Sequence, residues 1–269
     1  MISHHLPQPW RWTLLSSAVP ATLVLLVRLG IPETPPWLVL KGRLSEARNV
    51  ISRYIGANID LPVISAAGAS GDGSRWADLF GVRYWRNTLV GAGFYTAQVI
   101  PYFAMGTFIP VVLSALHVSD PYASGMVFNG FLMAGSACGL WLIDHLSRRQ
   151  FLVGSFYIAG LTLMLLTLVP THRPDLVVGL FAVFAFVLSA AANLEFGYLP
   201  ELFPTRLRAS GVGFATAVSR IGAAASTFLL PLSVERLGVR GTLGVCVAVL
   251  VAGGLLCQLL APETRGRLA

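Results

Sequence analysis

The sequence predicts an all-α, polytopic membrane protein, a bundle of about seven hydrocarbon-spanning helices. Three observations carry that expectation. Hydrophobic residues make up 55% of the chain and charged residues only 12%, whereas a soluble domain keeps about a quarter of its residues charged to cover its surface. Mean hydropathy is +0.71. The apolar residues also gather into runs long enough to cross a hydrocarbon core of about 30 Å, which takes roughly 20 residues of helix.

The first run is 12–31. A long polar insert follows at 32–86, where Leu40, Leu44, Ala47, Ile51 and Tyr54 recur at helical spacing among Lys41, Arg43, Arg48 and Arg53. That pattern predicts an amphipathic helix lying on the membrane surface or on the bundle. Residues 66–74 read as a flexible linker, and Trp76 to Arg86 as a second short interfacial helix. The second span, 88–113, contains Pro101 and Pro110 and is expected to be bent or broken. Asp120 before Pro121 marks a helix start for the third, 121–143. The remaining spans are 151–169, 175–199, 209–234 and 240–260. In the sixth, Gly211, Gly213, Ala215 and Ala217 form overlapping pairs of small residues that allow close helix packing.

Charge sets the expected orientation. The insert carries seven basic residues, and Arg148, Arg149, Arg206, Arg208, Arg265 and Arg267 fall on the alternate connections that share its side. The opposite side has Arg11, Arg173, Arg236 and Arg240. By the positive-inside rule the richer side is cytoplasmic, with the N-terminus outside and the C-terminus inside a cell membrane. The net charge of +7 is scattered, not gathered into a stripe, so no nucleic-acid partner is expected. Cys138, Cys246 and Cys257 lie within apolar runs without metal-ligand spacing, and neither metal nor cofactor is expected.

Four motifs fall on the basic side. Pro32-Glu33-Thr34-Pro35-Pro36-Trp37-Leu38 leaves the first span, and Asp144-His145-Leu146-Ser147-Arg148-Arg149 joins the third and fourth. Pro200-Glu201-Leu202-Phe203-Pro204-Thr205-Arg206, with Arg208-Ala209-Ser210-Gly211, joins the fifth and sixth, and Pro262-Glu263-Thr264-Arg265-Gly266 ends the last. The first resembles the PESPRWL signature after helix 6 of sugar porters in the major facilitator superfamily. The second is similar to the D-R-x-G-R-R turn between helices 8 and 9, with His145 and Ser147 in place of Arg and Gly. The third and fourth resemble the E-x-F-P-T-x-x-R-A stretch between helices 10 and 11 and the PETKG ending helix 12.

The resemblance runs from about residue 10 onward. It implies that residues 1–31 hold an outside N-terminus and a helix 6, that 32–86 are the cytoplasmic linker between transporter halves, and that 87–269 are the six-helix C-terminal half. Helices 1 to 5 have no counterpart in this sequence, so the resemblance implies a truncated or partial chain. A shortened gene, a start placed too late and a split transporter whose missing N-terminal half is a separate partner all fit, and the lipid bilayer is the other implied partner. The implied activity is secondary active transport: proton-coupled uptake of a sugar or related small metabolite. The resemblance further implies that Asp144, Arg148, Arg149, Glu201, Arg206, Glu263 and Arg265 form an ion-pair network gating the cytoplasmic rim. Ordinary topogenic charge and helix capping account for the same residues.

Inside the spans, Arg220 lies about 16 Å from the cytoplasmic end of its helix, at about 1.5 Å per residue. An uncompensated cation there costs at least about 2.5–3.5 kcal/mol. It reads as a cavity group for an anionic or polyhydroxyl solute, or as half of a structural ion pair. Glu195 is the carboxylate candidate for proton coupling, although a position one turn from its helix end also lets it reach water. Its depth differs from that of Arg220 by about 10 Å on the same rise, which disfavours a direct pair. Gln98, just before Pro101, is the leading candidate to bind solute. Asn129 and Asn193 stay open between cavity lining and helix–helix hydrogen bonding. A seven-helix receptor without transport activity shares the predicted topology but leaves the four motifs unexplained. Its retinal-binding form is excluded because the sole lysine, Lys41, is outside the spans. No catalytic spacing of nucleophile, acid and base lies within the spans, so no enzyme activity is expected.

Overall fold

The computed structural model describes residues 9–54, 56, 76–115, 121–169 and 173–264, and among them the regular structure is entirely helical. The chain divides into two compact units, Met1–Gly73 and Ser74–Ala269.

In the first unit, α1 (Pro9–Ser16) and α2 (Ala18–Arg28) run nearly end to end. Pro20 has no N–H to give the carbonyl four residues back and crowds it, which accounts for the irregular turn at Ser17. At about 1.5 Å per residue, Pro9 to Arg28 covers about 30 Å, one hydrocarbon thickness. No α2 residue is buried. An apolar helix exposed on all sides is the pattern of a segment meant for lipid. Helix α3 (Pro35–Leu40) opens with two prolines in its first turn, where their missing N–H groups cost nothing. It stops at Gly42, whose φ of 74° suits a residue without Cβ. The chain then turns into α4 (Leu44–Tyr54), which packs on α3. Ala47 and Ile51 of the predicted stripe are buried, whereas Tyr54 is exposed. The linker expected at 66–74 lies outside the described residues.

The second unit begins with a 3-10 helix at Trp76–Phe80, shorter than the interfacial helix expected as far as Arg86. Trp76 and Phe80 both meet the Phe214 ring edge-on, and Thr88 Oγ1 donates to Leu79 O at 2.7 Å, so the segment is pinned to the bundle. Five helices follow: α5 (Trp85–Ala115), α6 (Pro121–His145), α7 (Arg148–Leu168), α8 (Pro174–Glu201) and α9 (Thr205–Leu260). Helix α5 continues through Pro101 and Pro110 instead of breaking. Each proline forfeits one intrahelical hydrogen bond, and the extensive packing of α5 along α9 holds the helix across the gap.

Helix α9 is 56 residues long, far more than one bilayer needs. It departs from helical geometry at Gly238 (φ 70°, ψ 174°), a conformation that glycine adopts readily. Arg208 Nε near its start donates to Pro200 O at 3.1 Å, and Tyr198 donates to Pro262 O, just past its end, at 2.8 Å. Both ends therefore sit against the end of α8, and the chain doubles back at Gly238. The sixth and seventh predicted spans are its two limbs. Three described helices are long and apolar enough to cross a membrane: Arg148–Leu168, Leu176–Glu201 and Thr205–Leu260.

Packing follows small residues. A Cβ added at Gly135 would lie 2.3 Å from Phe186 O, and one at Gly139 would lie 2.4 Å from Ala190 O, so α6 and α8 cross backbone to backbone. Ser189 Oγ donates to Leu132 O at 2.7 Å and Asn193 Nδ2 to Ser136 O at 3.0 Å along that seam. Of the small residues singled out in the sixth span, Gly211 and Ala215 are buried, while Gly213 and Ala217 face outward. Gly211 makes room for the Phe203 ring.

Candidate functional site

Helical periodicity builds one cavity from three helices. Tyr95, Gln98 and Tyr102 recur at three- and four-residue steps on α5, and Ser189, Ala192 and Glu195 at three-residue steps on α8, so each set shares a face. The first limb of α9 adds Arg220. Together with apolar neighbours these residues enclose about 230 Å³. Gln98, Glu195 and Arg220 thus line one space.

The expected 10 Å offset between Glu195 and Arg220 is bridged by a residue that no sequence pattern singles out. Arg220 Nη2 donates to the Tyr95 hydroxyl at 3.4 Å, and Glu195 lines the same cavity beside that tyrosine. Tyr95 is buried. A phenol can accept from a guanidinium while donating to a carboxylate, so Tyr95 suits a place between two charges that form no ion pair with each other. The one available signal is a tyrosine one helical turn before Gln98 on the same face.

Gln98 is 3% exposed. Its Nε2 donates to Leu188 O at 3.3 Å. A carbonyl accepts only from the amide nitrogen, which fixes the orientation of the side chain. Its Oε1 is left buried with no partner among the described residues. An unpaired buried acceptor costs about 1–3 kcal/mol, a cost that a solute donor would remove.

The other two amides are placed elsewhere. Asn193 is in the α6–α8 seam, where Nδ2 bonds Ser136 O and Ala190 O, and Asn129 is exposed on α6. Neither is among the cavity-lining residues.

A second assembly gathers the helix ends. Arg148 and Arg149 N–H groups, at the start of α7, donate to the two Glu263 carboxylate oxygens at 3.1 and 3.2 Å. A carboxylate there answers the partial positive charge of the helix N-terminus. The neighbouring cap is Ser147, whose Oγ accepts from Gln150 N–H at 3.2 Å. Arg148 also reaches Ile143 O and pairs with Glu201 at 3.5 Å, and Thr264 donates to the other Glu201 oxygen at 2.5 Å. Arg149 Nη2 donates to Gln258 O at 2.6 Å. Four helix ends thereby meet at one rim. Asp144 lies in the last turn of α6, at the same connection. Arg206 is exposed and forms no ion pair with a described residue, and Arg265 lies outside the described residues.

Apolar bundle, polar cleft and interlocked rim together are those of a multi-pass helical membrane protein. The family model for sugar (and other) transporters matches residues 2–268. The chain is 39% identical over 262 residues to the inner membrane metabolite transport protein YgcS of Escherichia coli, covering 96% of this chain and 57% of that one. It is 37% identical to the putative metabolite transport protein YaaU of the same organism (96% and 58%) and 31% identical to the plastidic glucose transporter 4 of Arabidopsis thaliana (97% and 50%). The chain belongs to the sugar (and other) transporter family, of the major facilitator type that its four motifs resemble. It spans about half the length of the curated relatives it matches.

Proposed function

We propose that the cavity among α5, α8 and the first limb of α9 is the solute site of a proton-coupled carrier for a sugar or related small polar metabolite. The single observation that supports this most is the buried, unpartnered Gln98 Oε1 in the space shared by Glu195 and Arg220. Charged groups within a span are costly, and where they face a cavity they are usually functional. Gln98 and Arg220 hold solute. Glu195 carries the proton, facing Tyr95 of α5 and Arg220 of α9, while α6 and α7 contribute no lining residue. Asn193 serves packing in this reading. The carrier lies in the cell membrane with its C-terminus cytoplasmic, works with an N-terminal half across the cavity, and catalyses no covalent reaction.

The rim of Arg148, Arg149, Glu201 and Glu263 is the cytoplasmic latch of this carrier. It consists of close, direction-specific contacts among helix ends that alternating access would have to part.

The test is uptake of labelled glucose and of a labelled mixed metabolite extract into proteoliposomes containing the chain together with an N-terminal half, with and without an inward proton gradient. Gradient-stimulated accumulation that disappears in Glu195→Gln is the expected result. Uptake indifferent to the gradient in the unaltered protein would refute the coupling.

A further inference from the structure

The polar groups of the cavity are specific enough to name the chemistry of what it takes, provided that it is a solute site as proposed above. We infer that, within sugars and related metabolites, the solute is the acidic kind, a small carboxylate bearing a hydroxyl or N–H donor, and that Arg220 and Gln98 discriminate it from a neutral polyol.

Unspent donors and acceptors decide between the two. A guanidinium has five N–H donors in a planar fork. The hydrogen bond of Arg220 to a described residue is the 3.4 Å contact with Tyr95, which is long and occupies one nitrogen. Glu195 lines the same cavity but forms no ion pair with Arg220, so the fork is not closed by a bidentate carboxylate among the described residues. Bidentate carboxylate binding is what that fork fits best. A polyol supplies only single neutral acceptors and brings no counter-charge to the guanidinium.

Gln98 sets the second requirement. Because Leu188 O holds its Nε2, the group it offers is an acceptor, and the partner must donate. Ser189 does not compete, since its hydroxyl is already given to Leu132 O. Tyr95, Tyr102 and Phe103 supply the flat apolar walls around these polar points. The chemistry read by the site is therefore an anion at one end, a donor at the other and an apolar or ring face between.

The experiment uses the purified full chain in phosphatidylethanolamine–phosphatidylglycerol nanodiscs. Binding of lactate, gluconate and benzoate is compared by calorimetry with that of propane-1,2-diol, glucose and benzamide. At least one acid is expected to bind about 10-fold or more tighter than its neutral counterpart, the scale of a hydrogen bond to a charged group. Arg220→Gln abolishes that preference, Arg220→Lys keeps part of it with the fold intact, and Gln98→Leu weakens whichever probe binds. Neutral probes that bind as tightly as the acids, or a preference that survives Arg220→Gln, overturn the inference while leaving the cavity a solute site. If no probe binds, or if neither Gln98→Leu nor Arg220→Gln alters binding, the reading of the cavity falls and the inference with it.

Discussion

Tyr95 connects the two charged groups of the cavity, and its phenol does what neither neighbour can do directly. Removing only its oxygen in Tyr95→Phe takes away the hydrogen bond from Arg220 and the hydroxyl beside Glu195. The expected outcome is a drop in solute affinity of about 10-fold, from about 1.5 kcal/mol for hydrogen bonds to ionised partners, with thermal stability nearly unchanged. Calorimetry beside a melting curve checks both halves. With an N-terminal half present, Arg220→Ala is expected to abolish uptake in proteoliposomes while membrane insertion, followed by carbonate extraction, stays normal. Insertion tolerates the loss because deleting a mid-span cation removes a desolvation cost of about 2.5–3.5 kcal/mol. Arg220, Glu195 and Gln98 are all visible in the sequence as polar groups stranded in apolar runs. Tyr95 is not, because a tyrosine in a span is common and only its neighbours on other helices give its hydroxyl a role.

At the level of the helices, the α6–α8 crossing depends on the absence of side chains at Gly135 and Gly139. Gly139→Leu places a branched side chain where a single Cβ would already lie 2.4 Å from Ala190 O. The helices must separate, breaking the Ser189 and Asn193 bonds along the seam. The expected loss is about 3 kcal/mol, at the upper end for overpacking, read as a lowered melting temperature in detergent. Gly154→Leu, where an added Cβ would meet nothing within 4 Å, is the control and should change little. At the rim, Glu263→Gln keeps the shape but removes the charge at the start of α7. A cost of about 0.3–1 kcal/mol is expected from the helix dipole, with an additional shift in the accessibility of a cysteine placed beside Gln258. The pair Gly135 and Gly139 is present in the sequence as a four-residue repeat of glycine. It stands out no more than the Gly211–Ala217 set, because spacing alone does not say which face meets a neighbour.

For the whole molecule, alternation of the spans predicts that reporter tags near residues 60 and 118 fall in opposite compartments. Protease protection in right-side-out vesicles checks this, and both tags accessible from one side would refute the alternation. The order of amino acids was enough to dictate the helical membrane class, because only helices satisfy their own backbone in lipid and a run of about 20 apolar residues leaves little choice. It was enough for the family as well, through four motifs at helix ends that resemble the family whose model matches residues 2–268. Other outcomes needed the packed bundle. Helix α5 stays whole through its prolines because it packs against α9, against its local propensity. Asn193 bonds a neighbouring backbone while Gln98 keeps an acceptor free, although both are amides in apolar helices. Glu195 and Arg220 come to line one cavity with Tyr95. Rise per residue measures depth along one helix, whereas the distance between two side chains depends on how helices shift and tilt against each other, and no single segment encodes that.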